Sequence, residues 1–373
     1  MRLDIDGRNC ELESGRSILD AVKKEGFDSI MLSDRPLAAQ IGGEVFNLRF
    51  TPKKDTQIHL LRYGEDMGRR VYERTLQFLF ILAMRKEFPR ARVCVRYSLG
   101  PGLFITVDGM EEPFNEEAAL KVETEMRRLV RLKLPLERRR ISIKEALSFY
   151  EQDGQADKAK LLKWRRFSYF DVYQIDGYMD YFYGEMAPDT SYADVFRVKY
   201  VHDGAVVLLM PRSDAPDVPS DYVDLPKLHA VFHQSDEWGK LMECATVNDL
   251  NTHIQNGTIR ELVRINEALH DRGYADIADK IVQKGAKAVL VAGPSSSGKT
   301  TSAHRISTQL RLQGCHPVML SLDDYYIDRD KIERDENGEI DLENINTLDI
   351  QRFGSDLAAL IRGEKVEVPR FDF

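Results

Sequence analysis

The chain has 373 residues, room for roughly two or three domains of about 150 residues each. Hydrophobic residues make up 43% and charged residues 31%, a globular balance that excludes wholesale disorder. With 53 Lys and Arg against 61 Asp and Glu, the net charge of −8 excludes a uniformly basic nucleic-acid coat, though not a local basic patch.

No apolar run approaches the length of a transmembrane helix, about 18 residues. The opening Met1-Arg2-Leu3-Asp4-Ile5-Asp6 alternates apolar and polar residues and lacks the apolar core of a signal peptide. Cys10, Cys94, Cys244 and Cys315 show no CxxC spacing and read as reduced thiols. The expectation is a soluble, cytoplasmic, multidomain protein with no membrane partner; a homo-oligomer is compatible with it.

Residues 3–10 read as a strand with a turn at Asp6-Gly7. Residues 17–24 place Ile18, Ala21 and Val22 on one helical face, with Ser14 or Ser17 as cap. Residues 39–46 read as a hairpin about Gly42-Gly43, and 56–61 as a final strand. Residues 71–87 are dense in apolar side chains and read as a buried helix; 92–107 read as strands about Gly100-Pro101-Gly102. Further helices are expected at 116–131, 143–152 and 155–164, and two strands about Asp203-Gly204 within 192–210. Three prolines in 211–219 (Pro211, Pro216 and Pro219) argue against any regular element there. Helices follow at 225–243 and 260–283.

The strongest motif lies further on. Ala288-Val289-Leu290-Val291-Ala292 reads as a strand buried in a parallel sheet. It runs into Gly293-Pro294-Ser295-Ser296-Ser297-Gly298-Lys299-Thr300, the GxxxxGK[ST] pattern, with a helix expected over 301–312. The glycines allow the loop to turn its N–H groups inward onto phosphate oxygens, and the helix N-terminus adds partial positive charge. Lys299 would reach the β- and γ-phosphates, and the Thr300 hydroxyl would ligate Mg²⁺. Pro317-Val318-Met319-Leu320-Ser321-Leu322 reads as a second buried strand ending in Asp323-Asp324-Tyr325-Tyr326, where a carboxylate could accept a proton from an acceptor hydroxyl.

Through Gly293 to Thr301, the Leu320 to Tyr326 segment, Asp341-Leu342-Glu343-Asn344, Asp349 and Gly363 to Phe373, residues 287–373 resemble the uridine kinase/phosphoribulokinase family of P-loop kinases. The resemblance implies ATP- and Mg²⁺-dependent phosphorylation of a nucleoside 5′-hydroxyl. Gly293, Ser295, Ser296, Ser297, Gly298, Lys299, Thr300 and Thr301 would hold ATP, Thr300 the Mg²⁺. Asp323, with Lys299, would be catalytic, and Tyr326, Glu343 and Phe371 would contact the acceptor. Glu343 stands where the family usually has Asp, and Asn344-Ile345 where it has His-Pro, which leaves another small alcohol open as acceptor. Two strands cannot fill a doubly wound sheet, so the chain is expected to be a fragment of a longer protein, with a truncated relative that has lost activity as the alternative; the resemblance is to a bacterial uridine kinase-like protein.

Residues 1–61 resemble the β-grasp TGS module of threonyl-tRNA synthetase, especially over Pro36-Leu37-Ala38-Ala39-Gln40-Ile41-Gly42-Gly43-Glu44-Val45-Phe46-Asn47-Leu48. Residues 62–220 resemble that enzyme's α+β editing domain through Phe88-Pro89-Arg90-Ala91, Gly100-Pro101-Gly102 and Leu134-Pro135-Leu136-Glu137-Arg138-Arg139. In the family an HxxxH helix with a later Cys and His builds the hydrolytic site. Here the helix positions are Arg74 and Phe78, and Tyr181-Phe182-Tyr183-Gly184-Glu185-Met186-Ala187-Pro188 has neither Cys nor His. No editing activity is expected. The resulting division is 1–61, 62–220, a helical linker at 221–286, and an incomplete P-loop parallel-sheet domain at 287–373.

Three weaker features remain. His229 and His233 have zinc-ligand spacing but lack an adjacent third ligand, so packing histidines are the simpler reading. A basic run (Arg127, Arg128, Arg131, Lys133, Arg138, Arg139, Arg140) and another from Lys158 to Arg166 are either solvated faces or RNA contacts. In the latter case Trp164, Phe167, Tyr169 and Phe170 would supply stacking. Tyr178, Tyr181, Phe182 and Tyr183 read as core. The leading expectation is thus a nucleoside kinase. The alternative is an ATP-gated RNA-binding or regulatory protein.

Overall fold

The computed structural model describes residues 1–202, 204–328, 332 and 344–371. The chain is a multidomain α+β protein with several separate sheets. It divides into two compact units, Met1–Asn251 and Thr252–Phe373.

The first unit begins with β1 (Arg2–Ile5) and β2 (Arg8–Glu11), an antiparallel hairpin turned at Asp6 and Gly7, both at positive φ. Helix α1 (Ile18–Lys24) starts at a reciprocal cap: Asp20 N donates to Ser17 Oγ (3.2 Å), and Ser17 N donates to Asp20 Oδ2 (2.8 Å). Strands β3 (Ala38–Ile41) and β4 (Glu44–Phe46) form the Gly42-Gly43 hairpin, and β5 (Thr56–Leu61) completes the sheet. Its order is β2-β1-β5-β3-β4, with β1 and β5 parallel in the middle. Ile18, Ala21 and Val22 pack on Leu3, Ile5 and Ile58 from that sheet.

Helix α2 (Asp66–Glu87) is buried on most sides, as its apolar density requires: Leu76, Phe78, Leu79 and Phe80 are each 1% exposed or less. It is followed by β6 (Arg92–Leu99), β7 (Gly102–Asp108) and α3 (Glu116–Leu132), the last capped by Asn115 Oδ1 accepting from Ala118 N at 3.0 Å. Then come β8 (Glu137–Ser142), α4 (Ile143–Gln152), α5 (Ala156–Leu162), β9 (Tyr169–Ile175) and β10 (Tyr178–Asp180). Strands β11 (Arg197–Tyr200) and β12 (Ala205–Leu209) add to β7 and β6 in the order β11-β12-β7-β6. A partly buried Arg35–Asp194 ion pair (2.8 Å), the Tyr63 hydroxyl on Pro211 O (2.7 Å) and Asn47 Nδ2 on Met186 O (2.8 Å) tie the first sheet and the segment after it to these later elements.

The prolines of 211–219 do not prevent a regular element. Strands β13 (Pro211–Arg212) and β14 (Ala215–Pro219) form a two-stranded ladder with Pro211 opposite Pro219. In so short a ribbon each strand is an edge, where a residue without an N–H is tolerated. The sheet β10-β9-β8 was also not evident in the sequence: β8 is Glu-Arg-Arg-Arg-Ile-Ser, with Ile141 alone buried.

Helices α6 (Pro226–Leu241) and α7 (Val247–Asn256) follow. In the second unit α8 (Ile259–Gln283) and α9 (Lys299–Leu312) pack through Ala278, Ile306 and Leu310, with Tyr274 and Ile281 alongside. The Arg305–Asp271 pair (2.9 Å) and Gln313 Nε2 on Asp279 (2.6 Å) pin their flanks. A 3₁₀ turn (Leu322–Tyr325) seats the Tyr325 ring edge-on against Phe353 of α10 (Ile350–Ile361), centroids 5.2 Å apart.

The expected parallel sheet is not present among the described residues. Residues 288–292 and 317–321 form no strand, and Leu290 is 85% and Val318 65% exposed. An apolar run becomes a buried strand only when neighbours complete its ladder and cover both faces, and no described segment does so here.

Candidate functional sites

In the second unit, the loop before α9 has the shape its glycines allow. Gly298 caps the helix at φ +82° and Ser296 lies at φ +60°. At Gly293 a Cβ would stand 2.8 Å from Ser297 Oγ, so a larger residue there would require the Ser297 side chain to turn away. Lys299 Nζ bridges the loop, donating to Gly293 O (2.7 Å) and Pro294 O (2.9 Å). Ser295, Ser296, Ser297, Thr300 and Thr301 are exposed around the helix start. The donor set is therefore suited to phosphate: a helix N-terminus, an ammonium held over a tight turn, and hydroxyls at the rim.

The other residues singled out in this region are placed differently. Asp323 is an exposed member of the 3₁₀ turn, not the end of a strand. Its neighbour Asp324 accepts from Phe371 N (3.4 Å). The Tyr326 and Phe371 rings meet at 5.6 Å. Glu343 lies outside the described residues.

In the first unit, α2 carries Arg74 and Phe78 to the segment after β10. Arg74 Nε donates to Glu185 O (2.9 Å), and its guanidinium lies so close to Gly184 that a Cβ there would be 3.0 Å from Arg74 Cζ. Gly184 is at φ +103°, which also favours glycine. Burial pulls the Arg74 pKa down, while the nearby Tyr173 and Glu73 oppose that shift. Phe78 is fully buried, with the rings of Tyr178 and Phe182 at 5.9 and 5.4 Å. The Tyr173 hydroxyl donates to Gly184 O (3.1 Å) and Glu185 Oε2 (3.0 Å), Arg138 pairs with Glu185, and Ala187 N donates to Thr75 Oγ1 (2.9 Å). The helix–loop junction is filled by a cation, aromatic rings and paired polar groups.

The two histidines on α6 belong to an aromatic cluster. His229 Nδ1 is 2.7 Å from the Tyr97 hydroxyl, and its ring is 4.8 Å from that of His202. Burial first, then the neighbouring histidines, hold the His229 pKa below its ordinary value. Among the described residues no group of three or more His, Cys, Asp or Glu is placed to hold a metal. Part of the basic runs is paired with carboxylates: Arg127 with Glu123, Arg128 with Glu125, Arg138 and Arg140 with Asp171, and Lys158 with Asp180.

No family model matches the chain. Among curated proteins it is similar to threonine--tRNA ligases. The enzyme of Clostridium kluyveri is 25% identical over 194 residues, 52% of this chain and 30% of the relative. That of Carboxydothermus hydrogenoformans is 27% identical over 175 residues (45% and 26%), and that of Acetivibrio thermocellus 28% over 160 residues (42% and 24%). The chain spans no more than 30% of the length of these relatives.

These relatives correct the expectation of an ATP-dependent nucleoside kinase: they are ligases of the synthetase kind, not phosphotransferases. The kinase assignment rested on a local loop motif, on two flanking strands that do not form, and on a resemblance of later segments, of which residues 341–343 and 372–373 lie outside the described residues. The role of Asp323 as base for an acceptor hydroxyl lapses with it. No helix among the described residues is long and apolar enough to cross a membrane.

Proposed function

We propose that this chain is an RNA-binding, regulatory relative of threonyl-tRNA synthetase, with its RNA contacts in the first unit and a nucleoside-triphosphate site in the second. The similarity to threonine--tRNA ligases over 194 residues carries this reading. A shared fold does not transfer chemistry once site residues differ, so the synthetase reactions do not come with it. Residues 1–61 form the TGS-like β-grasp module, supported by the parallel β1–β5 pair at the centre of its sheet. Residues 62–220 are the editing-like domain, 221–286 a helical linker and 287–373 the nucleotide-binding part. Arg74 and Phe78 can neither ligate a metal nor serve as neutral bases, which supports binding without hydrolysis. The protein is cytoplasmic in this reading.

The loop residues Gly293, Ser295, Ser296, Ser297, Gly298, Thr300 and Thr301 hold the ATP phosphates, and Lys299 exchanges its two carbonyl partners for phosphate oxygens. The Thr300 hydroxyl is the Mg²⁺ ligand. Bound Mg-ATP supplies negative charge and local order to this unit, and the coupling to RNA is reciprocal.

Filter binding of bulk tRNA to the full chain, with and without Mg-ATP, tests the proposal. The expected result is salt-dependent retention of RNA, shifted about fivefold or more by Mg-ATP, with the shift lost in Lys299→Ala. Failure to retain RNA at low salt overturns the reading. Retention indifferent to Mg-ATP removes the gate and leaves a constitutive RNA binder.

A further inference from the structure

Between Lys158 and Phe170 the sequence holds five cations and no acid, on a chain whose net charge is −8. The structure distributes these residues unevenly. Lys158 is spent on Asp180, at 2.6 Å, and Arg165 turns inward over the buried Phe170, at 4.8 Å. The Trp164 indole donates to Asn248 Oδ1 (3.0 Å). What remains at the surface is Lys160, Lys163, Arg166, and the rings of Phe167 (61% exposed) and Tyr169 (38% exposed), whose centroids are 5.8 Å apart.

The adjoining strand completes this surface. Ser142 of β8 pairs with Tyr169 of β9 and Arg140 with Asp171, so Arg140 and Tyr169 share one face of the sheet. Asp171 holds the Arg140 guanidinium at 2.8 and 3.1 Å, and that guanidinium lies 4.1 Å from the centre of the Tyr169 ring. Arg138, on the same face, is held by Asp171 and Glu185. These cations are fixed in place before any ligand arrives, so little ordering is lost on binding. The opposite face of the sheet is closed: Ile141, Phe170 and Val172 pack under α4 and α5 with Ala146, Tyr150 and Leu162.

We propose that Phe167 and Tyr169, flanked by Lys163, Arg166 and Arg140, form a stacking platform for unpaired RNA nucleotides. Exposed rings set among cations complement a strand that presents both π-faces and phosphates. A duplex keeps its base faces stacked inside and offers only its backbone and groove edges, which two protruding rings cannot use. This inference rests on the RNA-binding function proposed above and assigns that function a surface.

The test is fluorescence anisotropy of the full chain with a labelled 12-nucleotide single strand of mixed sequence and with a duplex of the same sequence. The single strand is expected to bind about tenfold tighter than the duplex. Phe167→Ala and Tyr169→Ala should each weaken single-strand binding on the order of tenfold, while Tyr169→Phe, which keeps the ring, stays near the unaltered protein. Lys163→Ala/Arg166→Ala should flatten the log–log salt dependence by about 1.4, at roughly 0.7 per phosphate contact on a single strand. All these side chains are exposed or half-exposed, so circular dichroism should be unchanged. A chain that binds RNA yet is indifferent to loss of both rings, or that prefers the duplex, overturns the platform and leaves the RNA-binding function standing. Failure of the unaltered chain to bind either RNA overturns both.

Discussion

Two apolar segments of similar composition meet opposite fates. In the first unit Ala205–Leu209 is buried at every position, laid between β11 and β7. In the second unit residues 288–292 are just as apolar and stand exposed, Leu290 at 85%. The difference lies in the neighbours and not in the segment. A ladder of hydrogen bonds on both edges and a covered face make a strand, and local hydrophobicity only permits one. The phosphate loop next to the second segment keeps its turn all the same, because that shape is set by Gly293, Gly298 and the Lys299 bridge within a few residues.

Hydrogen exchange should separate these two segments most strongly. Amides of Ala205–Leu209 are expected to exchange on the order of a thousandfold or more slowly than those of 289–291. Comparable protection in both would show that the second segment pairs in solution and would erase the contrast. A smaller but large effect is expected from Phe78→Ala. The ring is fully buried in the main core, and its removal should cost about 3–5 kcal/mol in the first unit's unfolding by urea. The α8–α9 packing of the second unit should be unaffected by the same change. A loss below about 1 kcal/mol would mean that the core around α2 is looser than its burial indicates.

The smallest effect concerns pH. His59 is bonded to Glu65 Oε2 (2.6 Å) and Asp6 Oδ1 (3.0 Å), and the Glu65 hydrogen bond, partly opposed by burial, raises its pKa above 6.5. A raised folded-state value means that the imidazolium stabilises the fold fully below the unfolded pKa, and that this contribution is lost as pH rises through the folded one. The side chain is half exposed, so solvent screens the pair and keeps the effect under about 1 kcal/mol. First-unit stability should therefore decline slightly as pH rises above about 6.5, and His59→Ala should flatten that decline. An unchanged slope in the variant would assign it to another group.

Periodicity made several elements legible. The alternation of Thr56–Leu61, the helical period of Ile143–Gln152 and the Gly42-Gly43 hairpin all lie where the residues indicate. What escaped was structure held by partners distant in sequence. Strand β8 has no apolar alternation, and its basic side chains are matched across the ladder by Asp171 and Gln174 on β9. The β13–β14 ribbon defied its prolines because each strand has a free edge. In the second unit the glycine-rich loop was legible, whereas the kinase activity inferred from it was not, since that inference took two strands for granted.

By itself, the sequence determined whatever depends on a few adjacent residues: the serine cap of α1, the turns at glycines, the phosphate-loop bend, and the identity of Arg74 and Phe78 on α2. These follow from backbone geometry and side-chain chemistry at short range, which need no partner from elsewhere in the chain. Tertiary structure alone decided which apolar runs are covered, which cations are neutralised, and which of the four neighbouring aromatics face solvent. Trp164 and Phe170 turn inward to Asn248 and the α4–α5 core while Phe167 and Tyr169 remain outside. Burial and ion pairing are sums over contacts between distant segments, and a linear pattern specifies the candidates for those contacts without choosing among them.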